Sequence, residues 1–402
     1  MSFVGLCGVL LGLVWMRFAI IERTRLRIAV FLSCYLVHCV VAVFFYNYAL
    51  QNVTDSGGYY YDPFGFARRG FGLTTQFLYY SMHLARSMIG GTFLDYFLIF
   101  QAIGFAGLAL MMRTFEEIYA SVRVEQSPAC YLLLFLPGLQ FWSSPISKDG
   151  ILFTAVCLTI WSAMNVRARY PATIAGIALM LLIRPHIAFI SAGAIALSLS
   201  LDRKTGLWTK AAVAVIAGVG LTLAVSTMSA NMNIDVTNAD SVDNFLTTFQ
   251  QSSQLGAGTT AVHGAFYVKM LSLLFRPLFF DATGALGYIA SLDNLVLLGV
   301  FLVLAVNYRE LSRMVSSVAF VRFALIEAIG IAIALALIYY NVGLGLRQKT
   351  MVIPGILVIF VALLALQQAR RAVPLLHQGL APGGPLRTKL DGFAPETAPY
   401  SS

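Results

Sequence analysis

The strongest constraint on the fold of this chain is a succession of apolar runs, most of them near the length of a bilayer crossing. A helix needs roughly 20 apolar residues to cross the hydrocarbon. At that depth every backbone N–H and C=O must pair within the chain, which leaves helices or closed barrels. Barrel strands would be shorter and would alternate apolar with polar residues. The expected fold is therefore all-α, a polytopic transmembrane bundle of about eleven spans. They fall at 3–20, 28–50, 92–112, 129–142, 151–164, 172–183, 187–201, 211–228, 287–306, 320–340 and 351–366. The fourth and sixth are short, so they must tilt, extend or re-enter. The composition agrees, with 59% apolar and 11% charged residues.

Residues 1–366 read as a single membrane domain, and the Pro- and Gly-containing stretch 367–402 as a disordered tail. The N-terminus lacks a basic leader and a small-residue cleavage site, so the first run reads as a retained helix. About eighteen of the 27 Lys and Arg residues fall on one set of loops. That set is then cytoplasmic, with the N-terminus outside and the C-terminus inside. The net charge of +9 reflects this bias rather than nucleic acid, since no basic patch interleaved with aromatics lies in a soluble segment. All five cysteines sit in apolar runs, which suggests no disulfide framework.

The outer side carries two long loops, 51–91 and 229–286, and several cations that the positive-inside bias does not explain. At 141–150, FWSSPISKDG, Ser144 is a suitable helix cap and Pro145 a suitable first helical residue. The helix start then brings Lys148 and Asp149 to the edge of the hydrocarbon, where ionisable groups usually have a reason to be. Arg184-Pro185-His186 interrupts two short spans. Its arginine can either satisfy carbonyls freed by the proline or hold an anion. Lys269 and Arg276 share one face of an expected interfacial helix over 264–280; long cations there also snorkel to headgroups. Arg347 lies in the glycine-rich link 341–349, just after its glycines, and the backbone there could approach a phosphate. In the first long loop, Asp55 and Asp62 flank a Ser-Gly-Gly-Tyr-Tyr-Tyr run and precede Arg68. Either carboxylate could serve as a general base, and an interfacial tyrosine belt with solvated charges explains the stretch as well. Thr75–Ile89 reads as an amphipathic helix lying flat on the outer surface, with Leu78, Met82, Ala85 and Ile89 on its apolar stripe.

Within the spans, His38 reads as a packed, hydrogen-bonded group. Glu327 reads as the partner of Arg322 or of a neighbouring helix. The sequence contains no GxxxxGK[ST] loop, HExxH or EF-hand loop, so nothing supports ATP hydrolysis or zinc proteolysis. No cofactor or metal ligand set is evident, and a divalent metal stays open. Lys148, Arg184, Arg276 and Arg347 together fit an anionic ligand in the outer leaflet, and a diphosphate on a lipid carrier suits them best.

Five stretches in order carry a resemblance: Asp55-Ser56 with the following tyrosines, PGLQFWSSPISKDG at 137–150, LIRPH at 182–186, FRP at 275–277, and GLGLRQK with a later proline at 343–354. The chain resembles bacterial exopolysaccharide and O-antigen polymerase-like membrane proteins and is similar to GT-C-type glycosyltransferases. The resemblance implies an inner-membrane enzyme acting on a polyprenyl-phosphate-linked sugar or oligosaccharide, possible polysaccharide-assembly proteins as partners, and no nucleic acid. It implies Asp55 as base, with Asp62 second. Lys148, Arg184, Arg276 and Arg347 would hold the carrier phosphates, supported by Asp149, His186, Lys269 and Arg68. The acidic loop follows the second span rather than the first, which favours the polymerase branch or an extra leading helix. A lipid-linked glycan transporter and a non-catalytic component of a glycan-export assembly are the rival readings.

Overall fold

The computed structural model describes residues 2–202, 264–339 and 341–379, with isolated positions between 206 and 262. The expected span 211–228 and the second long loop up to residue 263 lie, isolated positions apart, outside the described residues. The described elements are all helical: α1 (Phe3–Ala19), α2 (Arg25–Gln51), α3 (Asp55–Tyr61), α4 (Thr75–Ile89), α5 (Phe93–Ser121), α6 (Pro137–Ser143), α7 (Lys148–Ala163), α8 (Val166–Ile183), α9 (Pro185–Ser200), α10 (Phe266–Phe275), α11 (Gly284–Val306), α12 (Tyr308–Ser317), α13 (Ala319–Ile338), α14 (Val342–Gln348) and α15 (Ile353–Gly379), with three 3-10 turns. Six helices are long and apolar enough to cross a membrane: α2, α5, α8, α11, α13 and the Ile353–Ala372 part of α15. A seventh arises if the bent pair α6–α7 counts as one crossing; α1, α9 and α10 are apolar but shorter. The chain is thus a helical multi-pass membrane protein.

α1 packs through its small residues. Its buried residues are Gly5, Gly8, Gly12 and Ala19, while Leu6, Leu10, Leu11 and Val14 face outward. A side chain at Gly8 would meet the Leu98 backbone, and one at Gly12 the Tyr35 ring. Without a hydrophobic drive between helices, close backbone approach supplies the attraction. The centre of the bundle is α5, buried along most of its length.

Polar side chains fix the rotation of the first helices. His38, fully buried, lies between the Gln101 carbonyl at 3.1 Å and the Gln140 side-chain oxygen at 2.9 Å. Gln140 also donates to the Leu134 carbonyl, and Gln101 to the Tyr35 hydroxyl, which donates to the Val9 carbonyl. The Glu327 carboxylate accepts from Ser191 Oγ at 2.6 Å and Thr159 Oγ1 at 3.3 Å. Its partners are therefore α9 and α7, while Arg322 donates to the carbonyls of Ser198, Val315 and Ser316.

Residues 129–142 are not one helix. A 3-10 turn, Pro128–Phe135, is followed by α6. Pro137 lacks an N–H and disfavours helical backbone at Leu136, so the chain restarts there. The axis then turns by 116° between α6 and α7. The cap of α7 is Ser147, whose hydroxyl accepts from Asp149 N at 3.2 Å. Ser144 instead ends α6, its hydroxyl donating to the Phe141 carbonyl at 3.2 Å. The bend is possible because the Ser143 carbonyl nests against Gly104 of α5 and Gly150 of α7, where any Cβ would collide with it.

Candidate functional site

The start of α7 gathers charges from four segments. Asp149, at its second residue, is buried to 1% exposure. One carboxylate oxygen accepts from Arg184 Nη2 at 3.2 Å, and the other from Arg347 Nε. Arg347 Nη1 reaches outward to Asp55 Oδ2 at 2.5 Å. Lys148, beside Asp149, donates to Thr75 Oγ1 at 2.9 Å. Three cations thus face two carboxylates, a formal excess of one positive charge, next to the positive end of the 16-residue helix α7.

Each contributor is held by a local sequence device. Thr54 caps α3 by accepting from Gly57 N at 3.3 Å, which fixes Asp55 as the first helical residue. Ser56 then donates to the Ile146 carbonyl at 3.0 Å and ties α3 to the α6–α7 bend. Arg184 is the junction residue between α8 and α9; Pro185 obliges the new start. Asn341 caps α14 by accepting from Leu344 N at 2.7 Å. Gly345 lets that helix press on the Tyr339 ring, and Arg347 projects from its last turn.

Burial works against charge on Arg347, but Asp149 and Asp55 outweigh it and hold the guanidinium's pKa above its ordinary value. Burial, then the nearby Asp55, raises the Tyr59 phenol; Tyr59 lies within the electrostatic reach of both Arg347 and Asp149. The Asp55 side chain is 54% exposed. The group therefore has a buried anchor, Asp149, and an accessible rim, Asp55. A bidentate guanidinium linking the two can exchange its outer partner for a phosphate.

Four of the residues singled out in the sequence thus lie in one group: Asp55, Lys148, Asp149 and Arg184, joined by the fifth, Arg347. His186 sits two residues beyond Arg184 with a buried Nε2 that has no hydrogen-bond partner among the described residues. The others lie apart. Asp62 has left-handed backbone, φ 45°, and its carboxylate accepts from Phe66 N at 2.7 Å and Ala67 N at 2.9 Å. It organises the turn that carries Arg68, which is exposed. Arg276 pairs with Asp281 at 2.5 Å. It lies just past the end of α10, since Pro277 pulls it into extended backbone. Lys269 is half-buried on α10 and makes no ion pair among the described residues.

Sequence reasoning missed a second polar group. Asp293 and Asn294 lie inside α11, and Lys349 follows α14. Asp293 accepts from Gly138 N, and Lys349 Nζ donates to Asn294 Oδ1. An Asp-Asn pair within an apolar run was the available signal. Among the described residues, no three His, Cys, Asp or Glu side chains gather as a metal site.

No protein-family model, curated protein or solved structure matches the chain.

Proposed function

We propose that this protein carries out glycosyl transfer at the outer face of a bacterial inner membrane, on a polyprenyl-phosphate-linked sugar or oligosaccharide, in cell-surface polysaccharide biosynthesis. The reading covers a repeat-unit polymerase and a GT-C-like transferase. It includes about eleven crossings, with α4 and α10 lying in the outer interface, the N-terminus outside and the C-terminus inside. One observation carries it: Arg347 links the buried Asp149 to the half-exposed Asp55, with Arg184 and Lys148 converging on the same helix start.

The chemistry follows from that arrangement. A carrier phosphate entering the rim takes up Arg347 Nη1 and the Lys148 ammonium. Arg347 then releases Asp55, while its Nε stays on Asp149. The freed Asp55 accepts the proton of an acceptor hydroxyl as that oxygen attacks the anomeric carbon. The bond from the anomeric carbon to the carrier phosphate oxygen breaks, and the departing phosphate keeps the electron pair. Lys148 and Arg347 stabilise the charge that develops there.

The test is the profile of lipid-linked glycans in a strain lacking the protein, complemented with wild type or Asp55→Asn. A complete repeat unit without long chains identifies a polymerase, and a unit lacking one sugar identifies a single-sugar transferase. Asp55→Asn should reproduce the deletion profile. Complete units trapped on the inner leaflet would mean carriage across the membrane instead, and an unchanged profile would end the glycan reading.

A further inference from the structure

Three threonines, Thr24, Thr54 and Thr92, precede α2, α3 and α5 in extended backbone, and each hydroxyl accepts from an amide of the helix that follows. That is the ordinary geometry of a helix cap. Thr74, at the start of α4, departs from it. Its backbone lies at φ 62°, ψ −126°, and its hydroxyl makes no capping bond. A β-branched residue at positive φ is strained. Such a residue persists only where its surroundings hold it.

Two bonds hold this one. Thr74 N donates to the Leu182 carbonyl, in the last turn of α8, at 2.7 Å. The Thr75 hydroxyl, next in the chain, accepts from Lys148 Nζ at 2.9 Å. Both anchors belong to the segments that build the Asp149 group, since Leu182 lies two residues before Arg184 and Lys148 beside Asp149. The second anchor is replaceable. Lys148 makes no ion pair among the described residues and gives one of its three protons to a neutral hydroxyl. An anion is a stronger partner for an ammonium than a hydroxyl is.

Thr74 has a second state open to it. In extended backbone it loses its strain, and its hydroxyl can cap α4 as the other three threonines cap their helices; the Leu182 bond is given up. Gln76 keeps its bonds to the carbonyls of Phe66 and Gly70, so the change stays within 71–75. We propose that Thr74 and Thr75 form a latch that senses a phosphate group at Lys148. A phosphate that takes up the ammonium deprives Thr75 of its partner. Thr74 then turns into extended backbone, leaves the Leu182 carbonyl and caps α4. The start of α4 thus moves off the Asp149 group when the rim is occupied. The latch rests on the phosphate binding of the proposed function and on no transfer step.

The test uses the full-length protein in lipid nanodiscs, hydrogen exchange resolved to single amides, and dodecyl phosphate as the probe, with its binding read by calorimetry on the same sample. Dodecyl phosphate should speed exchange of the Thr74 amide at least about tenfold and slow that of Gln76 or Phe77, the amides a cap engages. Release by inorganic phosphate as well supports a latch triggered by any phosphate, and release by dodecyl phosphate alone supports one triggered by a lipid phosphate. Lys148→Met and Thr75→Val should each free the Thr74 amide without ligand, with the α5 amides unchanged. Thr74→Gly accepts positive φ and has no hydroxyl to cap with. It should keep the Leu182 bond and slow the exchange even with dodecyl phosphate bound, whereas a loose loop would exchange faster. Phosphate binding without release overturns the latch and leaves the phosphate site standing, while no binding overturns the phosphate site and the latch with it. A Thr74 amide still protected in Lys148→Met, or one freed by dodecanol, also overturns the latch.

Discussion

Two acidic residues hold the starts of α6 and α7, the helices that meet at the bend, and they do so differently. Asp293 reaches from α11 to Gly138 N at the start of α6. Asp149 sits at the start of α7 and is itself held by Arg184 and Arg347. The first group is sealed: Asp293, Asn294 and Lys349 are all buried. The second opens outward through Arg347 to Asp55. A helix start can thus be closed by a carboxylate as pure architecture, or left with surplus cations at a rim. Only the second arrangement offers exchangeable partners to a charged ligand.

The contrast can be broken at its strongest point. Asp149→Ala removes the buried carboxylate that two half-buried guanidiniums share, leaving Arg347 with Asp55 and Arg184 without its ion-pair partner, and should cost up to about 3–5 kcal/mol, the range for a buried pair deprived of one partner. Asp293→Ala should cost less, because Lys349 keeps its bond to Asn294. Thermal unfolding of both variants in one detergent ranks them, and an equal loss would abolish the distinction. The bend shared by the two groups is the next target. Gly104→Ala pushes a methyl into the Ser143 carbonyl, backbone that cannot rotate away. A loss of about 1–3 kcal/mol is expected, with smaller changes from alanine at Gly193, which has open space around it.

The rim gives smaller stability effects and larger functional ones. Asp55→Asn should alter unfolding by less than about 1 kcal/mol, as for exposed ion pairs, while, on the proposed function, reproducing the lipid-linked glycan profile of the deletion strain. Arg347→Lys keeps the charge but cannot hold Asp149 and Asp55 with one fork. Binding of a short-chain lipid phosphate should fall about tenfold or more, read by calorimetry on the purified protein. The smallest effect concerns the sealed group. Burial lowers Lys349 from 10.5 to about 8 in the folded protein. Between those values the unfolded chain binds more protons, so stability rises with pH across that window. The wild-type thermal midpoint should gain on that of Lys349→Met as pH goes from 8 to 10.5; a flat difference would contradict the depressed ammonium.

Apolar length made most crossings legible, and period 3.6 placed α4 with the observed bounds. Arg184, Lys148 and Arg347 stood out because each was a cation where orientation predicts few. Their convergence on Asp149 was not legible, since Asp149 and Arg347 are 198 residues apart. Two misplacements were readable locally. Asp62-Pro63-Phe64-Gly65 is a turn sequence that employs its own carboxylate. Asp281, only five residues after Arg276, was a nearer partner than any ligand. The bend was hidden for another reason: Ser144-Pro145 fits a helix start, and only the fit of the Ser143 carbonyl between two glycines decides that the helix begins three residues later.

The span of the Arg347 bridge has a consequence for synthesis. Asp149 meets Arg184 as soon as α8 is in place, 35 residues on. Its second partner, and the one that reaches Asp55, emerges only near the end of the chain, 292 residues after Asp55 itself. Throughout most of translation the rim therefore lacks its central cation, and α1 to α13 are all made before Asp55 can meet Arg347. A polypeptide released before residue 347 carries the acidic loop without the bridge, so the charged group is complete only once α14 has been made.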